Sequence, residues 1–126
     1  MDQEIHIKDH VLAFESDAGV FRPTGWGFTG LPCAKAIVAE IATKFLSSIG
    51  AKDVLDGGGA ADTAPLIARG VPGMNIRIEN QKYFWYHHSH SDMMTHLSSE
   101  DMDLCSASVS VMMFVIADID ERLPRQ

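Results

Sequence analysis

Short apolar runs alternate with helical segments along this chain, and few folds accommodate that order. Apolar runs at residues 11–14, 53–55 and 74–78 predict short strands. The sequence between them predicts a long helix and then a short one over residues 65–69, and a further long helix follows the last strand. This order is typical of an α/β sheet with crossover helices, in a single domain without internal repeats or linkers.

The two long helices are delimited by characteristic residues. Pro32 suits the first turn of the first helix, whose apolar side chains recur with a helical period until Gly50 ends it. Ser98 and Asp101 have the spacing of a capping box, which marks the start of the second helix. We expect that helix to continue to about Leu123.

Residues 19–30 are rich in glycine and are predicted to form a loop. Residues 25–30 match the GxGxxG pattern of a dinucleotide-binding turn, but such a turn joins a strand directly to a helix. Here the predicted strand ends well before the pattern, and the bulky Trp26 and Phe28 lie inside it. Residues 57–59, three glycines, lack the Lys of a P-loop and are interpreted as a tight strand-to-helix turn.

Polar residues follow each of the predicted strands. They are ESD at residues 15–17, DGGGAAD at 56–62 and HHSHSD at 87–92. If the strands are parallel, these stretches converge at one edge of the sheet, where open α/β sheets bind ligands. Carboxylate oxygens and imidazole nitrogens suit a divalent transition metal such as zinc. The sequence therefore predicts a candidate zinc site in that crevice.

The stretch YHHSHSDMM, residues 86–94, admits a metal-binding and a solvated interpretation. Because neighbours in an extended segment point in opposite directions, we expect at most one of His87 and His88 to reach a given metal. Asp92 could orient an imidazole or cap the next turn, and Asp17 could be a ligand or a residue that closes a strand. Three other histidines lack a partner pattern and are interpreted as structural: His6, His10 and His96.

The charge distribution argues against two classes of partner. The formal net charge is −7 and no basic cluster is present, whereas nucleic acids and anionic membranes require a Lys/Arg surface. The longest apolar run, near residues 109–117, is too short to span a bilayer, and residues 1–10 contain no apolar segment, so we expect no signal peptide in this chain. Cys33 and Cys105 are compatible with buried thiols or with one disulfide.

Four collinear segments resemble a known enzyme family: AFESDAGVFRPTGWGF, IGAKDVLDGGGAADTAPLIARGVPG, YFWYHHSHSDMM and VIADIDERLPR. They are similar to the di-zinc aminopeptidase and carboxypeptidase family, and within it to the plasma glutamate carboxypeptidase (carboxypeptidase Q) branch. The resemblance extends over nearly the whole chain. It implies a partial three-layer α/β/α zinc-exopeptidase fold, with the C-terminal strands and helices of a larger mixed sheet. Residues 1–126 would then be the C-terminal portion of the catalytic domain.

The resemblance also implies roles for individual residues. Asp17 of the ESD motif and His88, the second histidine of the family's HHTxxDT motif, correspond to zinc ligands, and Asp92 corresponds to a supporting residue. Family members hydrolyse small peptides with a hydroxide bound by two zinc ions, and a glutamate serves as general base. They are typically secretory-pathway or lysosomal proteins. This sequence departs from the family pattern at Ala60, Ser89 and Met93.

The family pattern further requires a histidine, a bridging aspartate and a Glu–Glu pair before ESD, and this sequence contains no matching residues. Asp17 and His88 belong to different zinc ions in the family, so each ion would keep one protein ligand where catalytic zinc normally has three. We therefore expect this chain to be inactive alone and not to retain zinc. The alternatives are a non-enzymatic interaction module acting through an exposed sheet edge, or a weak single-zinc histidine loop. Open edges would also permit a homo-oligomer.

Overall fold

The structure is a computed structural model that describes residues 6–125, which form a mixed sheet with its main helices on one face. The strands are β1 (Ala13–Glu15), β2 (Pro23–Thr29), β3 (Asp53–Asp56) and β4 (Gly73–Ile78), in the spatial order β1-β4-β2-β3. β1 pairs in parallel with β4 and β2 in parallel with β3, whereas β2 and β4 are antiparallel. The predicted α/β fold class with a mixed sheet is confirmed.

The helices are α1 (Pro32–Leu46), α2 (Ala64–Ile67), α3 (Tyr83–Tyr86) and α4 (Ser99–Asp118), with 3-10 turns at Ile7–Asp9, Ser47–Ile49 and Met94–His96. The residues predicted to begin the two long helices and to end the first are found at those positions. Pro32 begins α1, and Gly50, with φ of 85°, ends the 3-10 turn that extends it. The Ser98 hydroxyl accepts a hydrogen bond from the Asp101 N–H at 3.4 Å, as expected for a capping residue. Within residues 6–125, no helix is both long enough and apolar enough to cross a membrane.

Strand β2 corrects the prediction of a loop over residues 19–30. It lies inside the sheet between β4 and β3, and its buried Trp26 and Phe28 face the helices. Gly27 alternates with them on the other face, where a Cβ would collide with the neighbouring backbone. Pro23 occupies the first strand position, where the missing N–H is tolerated. Glycine and proline lower strand propensity, which concealed this strand in the sequence.

Helix α4 ends at Asp118 and does not reach Leu123 as predicted. Ile119 is already extended, with ψ of 142°. Asp118, Asp120 and Glu121 place negative charge at the helix carboxyl end, which the helix dipole disfavours. The chain then turns, and Leu123 is buried in the core. Leu123, which suggested a longer helix, is therefore held by packing in the core and does not belong to the helix.

The core lies between the sheet and the two long helices. It contains Trp26, Phe28, Met74 and Ile76 from the sheet and Val38, Ile41, Leu46, Met112 and Ile116 from the helices. The short α2 lies against the opposite face, where a Cβ at Gly73 would meet the Ile67 side chain. Leu55 on β3 remains exposed. One face of the sheet is thus covered by α1 and α4, and the other is only partly covered by described residues.

Both cysteines are free thiols, so the disulfide that the sequence left open is not formed. Cys33 is exposed on α1. Cys105 is buried on α4, and its thiol donates to the Phe21 carbonyl oxygen at 3.0 Å. Burial, together with the negative charge of Asp101, raises the pKa of the Cys105 thiol. This cysteine is a packed core group that stays protonated at neutral pH.

Candidate functional site

A cavity of about 250 Å³ lies between the segments that follow β1 and β4. Asp17, from the first segment, and His88 and Asp92, from the second, are among the residues that line it. Because β1 and β4 are parallel neighbours, the two segments leave the sheet at the same edge. The structure thus brings all three candidate site residues to one cavity.

The DGGGAAD stretch, residues 56–62, does not join this cavity, and the predicted convergence of three stretches is wrong on this point. It follows β3, which runs opposite to β1 and β4. The residue after it, Thr63, is tied instead to Glu15, whose carboxylate accepts hydrogen bonds from the Thr63 N–H at 3.1 Å and hydroxyl at 3.0 Å. Burial raises the pKa of Glu15, but hydrogen bonds from Thr63 and its neighbours outweigh burial and hold that pKa below its usual value.

His88 owes its orientation to an unusual backbone conformation. Its φ of 54° lies in the left-handed region, which non-glycine residues seldom adopt. The preceding residues form the helical turn α3, so the segment is not extended, contrary to the expectation from its sequence. The His87 and His88 rings therefore stack, with centroids 3.8 Å apart, and both line the cavity. Tyr83 stacks on His87 at 4.7 Å. We call Tyr83, His87 and His88 the first ring stack.

A second ring stack consists of Phe21, Tyr86 and His96, all of which also line the cavity. The ring centroids of Tyr86 and His96 are 4.8 Å apart with an interplanar angle of 20°, and those of Phe21 and Tyr86 are 6.4 Å apart at 22°. His96 was interpreted as structural from the sequence, and its place in the cavity was missed. His90, two residues from His88, is not among the residues that line the cavity.

The described residues do not assemble a complete metal site. Asp17 and His88 offer a carboxylate and an imidazole to the same cavity, which is the donor chemistry that zinc uses. However, no group of three His, Cys, Asp or Glu side chains within residues 6–125 could hold a metal ion. Because catalytic zinc normally has three protein ligands, these donors alone do not fit a resident zinc ion.

The fold is similar to that of a solved peptidase. The structure superposes on the crystal structure of a Peptidase M28 precursor from Shewanella amazonensis SB2B with a TM-score of 0.85 and 25% sequence identity, covering 99% of this chain and 28% of that chain.

Sequence comparison shows which peptidases this chain is similar to. The chain is 39% identical over 122 residues to carboxypeptidase Q of Homo sapiens and 40% identical over 125 residues to that of Xenopus laevis, which is 97% of this chain in each case. It spans 26% of the length of either relative. No protein-family model matches the chain. The chain is thus homologous to a segment of carboxypeptidase Q, and the resemblance predicted from its four motifs is confirmed.

Proposed function

We propose that this chain forms part of a zinc-dependent exopeptidase centre that hydrolyses small peptides. In this proposal Asp17 and His88 are zinc ligands and Asp92 supports His88. One observation carries it: these three residues come from two separate segments and line a single cavity at the edge where β1 and β4 end. Homology to carboxypeptidase Q and the M28-like fold support a peptidase, and the family resemblance supports zinc.

Two companion proposals follow from the same homology. The chain corresponds to the C-terminal portion of the catalytic domain, and it acts in the secretory pathway or lysosome. The chain alone is expected to be inactive, because its sequence contains no Glu–Glu pair to supply a general base and its described residues provide no third metal ligand.

A chimera tests the proposed site. This chain would replace the aligned segment of human carboxypeptidase Q, and dipeptide hydrolysis would be measured. We expect hydrolysis that Asp17→Ala or His88→Ala abolishes, and that Asp92→Asn lowers by about 10- to 100-fold, as for other residues that support a ligand. His90→Ala is the matched control, since His90 does not line the cavity. If His88→Ala and His90→Ala were equally active, the assignment of His88 would be wrong.

The isolated chain provides the complementary measurement. Calorimetric titration with zinc is expected to show no tight binding, and the pure chain is expected to release no product from dipeptides. Two tightly bound zinc ions, or turnover that a chelator abolishes, would show that this chain carries a complete centre.

A second candidate function is that of an interaction module. The observation that favours it is an apolar groove on the outer side of α1 and α4, about 680 Å³ in volume. Phe45 and Phe114 line it and remain 54% and 68% exposed. This groove is a different surface from the exposed sheet edge that the sequence suggested for such a module. If the chimera were inactive although folded, while Phe114→Gln weakened self-association of the chain, this candidate would be favoured.

A further inference from the structure

The cavity beside Asp17 and His88 is built mainly from rings. The first and second ring stacks together contribute six of its lining residues: Phe21, Tyr83, Tyr86, His87, His88 and His96. Met93 and Leu97 add apolar surface. The rings within each stack are nearly parallel to their neighbours, with interplanar angles of 20° to 28°. A guest with a flat apolar face can extend such a stack.

The size and charge of the cavity limit the guest further. A volume of about 250 Å³ is below the roughly 300–1,000 Å³ typical of whole drug-sized ligands, so it suits a single side chain. Among residues 6–125, no Lys or Arg lines the cavity, whereas Asp17 and Asp92 both do. An acidic side chain would meet like charge there and find no cation to pair with. A neutral guest avoids that repulsion.

We propose that this cavity binds the aromatic side chain of a small peptide, which packs against the rings of the two stacks. The inference deepens the proposed function and rests on it in taking a peptide as the ligand. Aromatic pairs favour offset-stacked or edge-to-face contacts beyond the area that they bury. The Met93 thioether adds a sulfur that packs well on a ring edge. Tyr86, in the middle of the second ring stack, is the specificity-determining residue.

Binding can be measured on the metal-free chain by NMR. The labelled chain would be titrated with N-acetyl-phenylalaninamide, and with the leucine, aspartate and arginine analogues as matched probes. We expect the phenylalanine probe to shift the ring signals of Tyr86, His88 and His96 and to bind about 3- to 10-fold more tightly than the leucine probe. The aspartate probe should cause no shift. The strongest response from the arginine probe would mean that the cavity recognises a cation, and equal responses from all probes would mean that it recognises no side chain. Either result overturns the proposal.

Variants of neighbouring residues separate ring contact from folding. Tyr86→Leu is expected to weaken binding of the phenylalanine probe about 3- to 10-fold, whereas Tyr86→Phe keeps the ring and should bind as wild type. Trp85→Leu is the control, because Trp85 is 67% exposed and does not line the cavity. If Tyr86→Leu and Trp85→Leu bound the probe equally well, the ring contact would be refuted.

The same measurements distinguish this inference from the proposed function. Probe binding by the isolated chain together with a chimera that is folded but inactive would uphold the aromatic cavity and refute the peptidase. An active chimera that hydrolyses alanine and phenylalanine dipeptides equally well would uphold the peptidase and refute the aromatic preference.

Discussion

Trp26 shows how a single polar atom is accommodated in this core. The side chain is fully buried, and its indole N–H donates to the Ala51 carbonyl oxygen at 2.9 Å. Trp26→Phe removes that donor and leaves a smaller ring, so we expect the free energy of unfolding to fall by about 2–4 kcal/mol. Urea denaturation provides the measurement. The exposed Trp85→Phe should change the free energy by less than about 0.5 kcal/mol, and similar losses in the two variants would contradict this account.

Glu15 predicts a specific acid dependence of stability. Its pKa in the folded chain lies below the ordinary value of 4.5, because burial, which raises the pKa, is outweighed by hydrogen bonds from Thr63, Asp62 and Ala60 taken together. A carboxyl group whose pKa is lowered by folding contributes stability that is complete above its unfolded pKa and is lost as pH falls through the folded value. The melting temperature of wild type should therefore exceed that of Glu15→Gln above pH 4.5, and the difference should shrink at lower pH. A difference that is constant with pH would exclude ionised Glu15 as the cause.

Motifs in the sequence predicted which residues lie near one another, but not the geometry of their side chains. Asp17, His88 and Asp92 were chosen from motifs, and the structure brings them to one cavity. The stacking of His87 on His88 was not foreseeable, because it depends on the left-handed backbone of His88. His96 was missed because its partner, Tyr86, lies ten residues earlier, and no local pattern links the two rings.

Among the secondary-structure elements, β2 depends most on glycine. A Cβ at Gly27 would collide with the Gly57 carbonyl oxygen and the Asn75 amide oxygen. At Gly50 a Cβ would meet nothing within 4 Å, although φ is 85°. We expect Gly50→Ala to cost about 1–2 kcal/mol from backbone conformation alone, and Gly27→Ala to cost about 3 kcal/mol or more because backbone must move. Chemical denaturation of both variants would test this, and equal costs would refute the close approach at β2.

Periodicity and capping residues predicted where most of the remaining regular elements begin, although the turn α3 was not predicted and α4 ends earlier than expected. α1, α4, β3 and β4 begin within two residues of their expected positions, because each is marked by a local signal such as Pro32 or Ser98. β2 was missed because its buried alternation of Trp26 and Phe28 is interrupted by glycines that long-range contacts require. Strand direction was likewise not encoded locally, and the antiparallel pairing of β2 with β4 moved DGGGAAD away from the cavity.

At the scale of the whole molecule, the two ends of the described chain are tied together. The Arg125 guanidinium donates to the carbonyl oxygens of Ile7 at 2.8 Å and His10 at 3.3 Å, and the Arg122 guanidinium donates to the backbone carbonyl oxygen of Lys8 at 3.2 Å. These contacts hold the segment before β1 against the end of the chain. The β1 edge of the sheet is therefore held against the residues that follow α4. The outer groove of α1 and α4 and the face of β3 at Leu55 remain exposed.

The open groove leads us to expect that the isolated chain self-associates. Phe114 lies in the groove with most of its surface exposed, and burying such a ring is worth about 1.5–3 kcal/mol. Sedimentation velocity should show concentration-dependent association, and Phe114→Gln should weaken it by about 10- to 100-fold in the dissociation constant. Phe84→Gln is the matched control, because Phe84 is 78% exposed but lies outside the groove. A chain that remains monomeric at all concentrations, or an equal effect of the two substitutions, would show that this groove does not drive association.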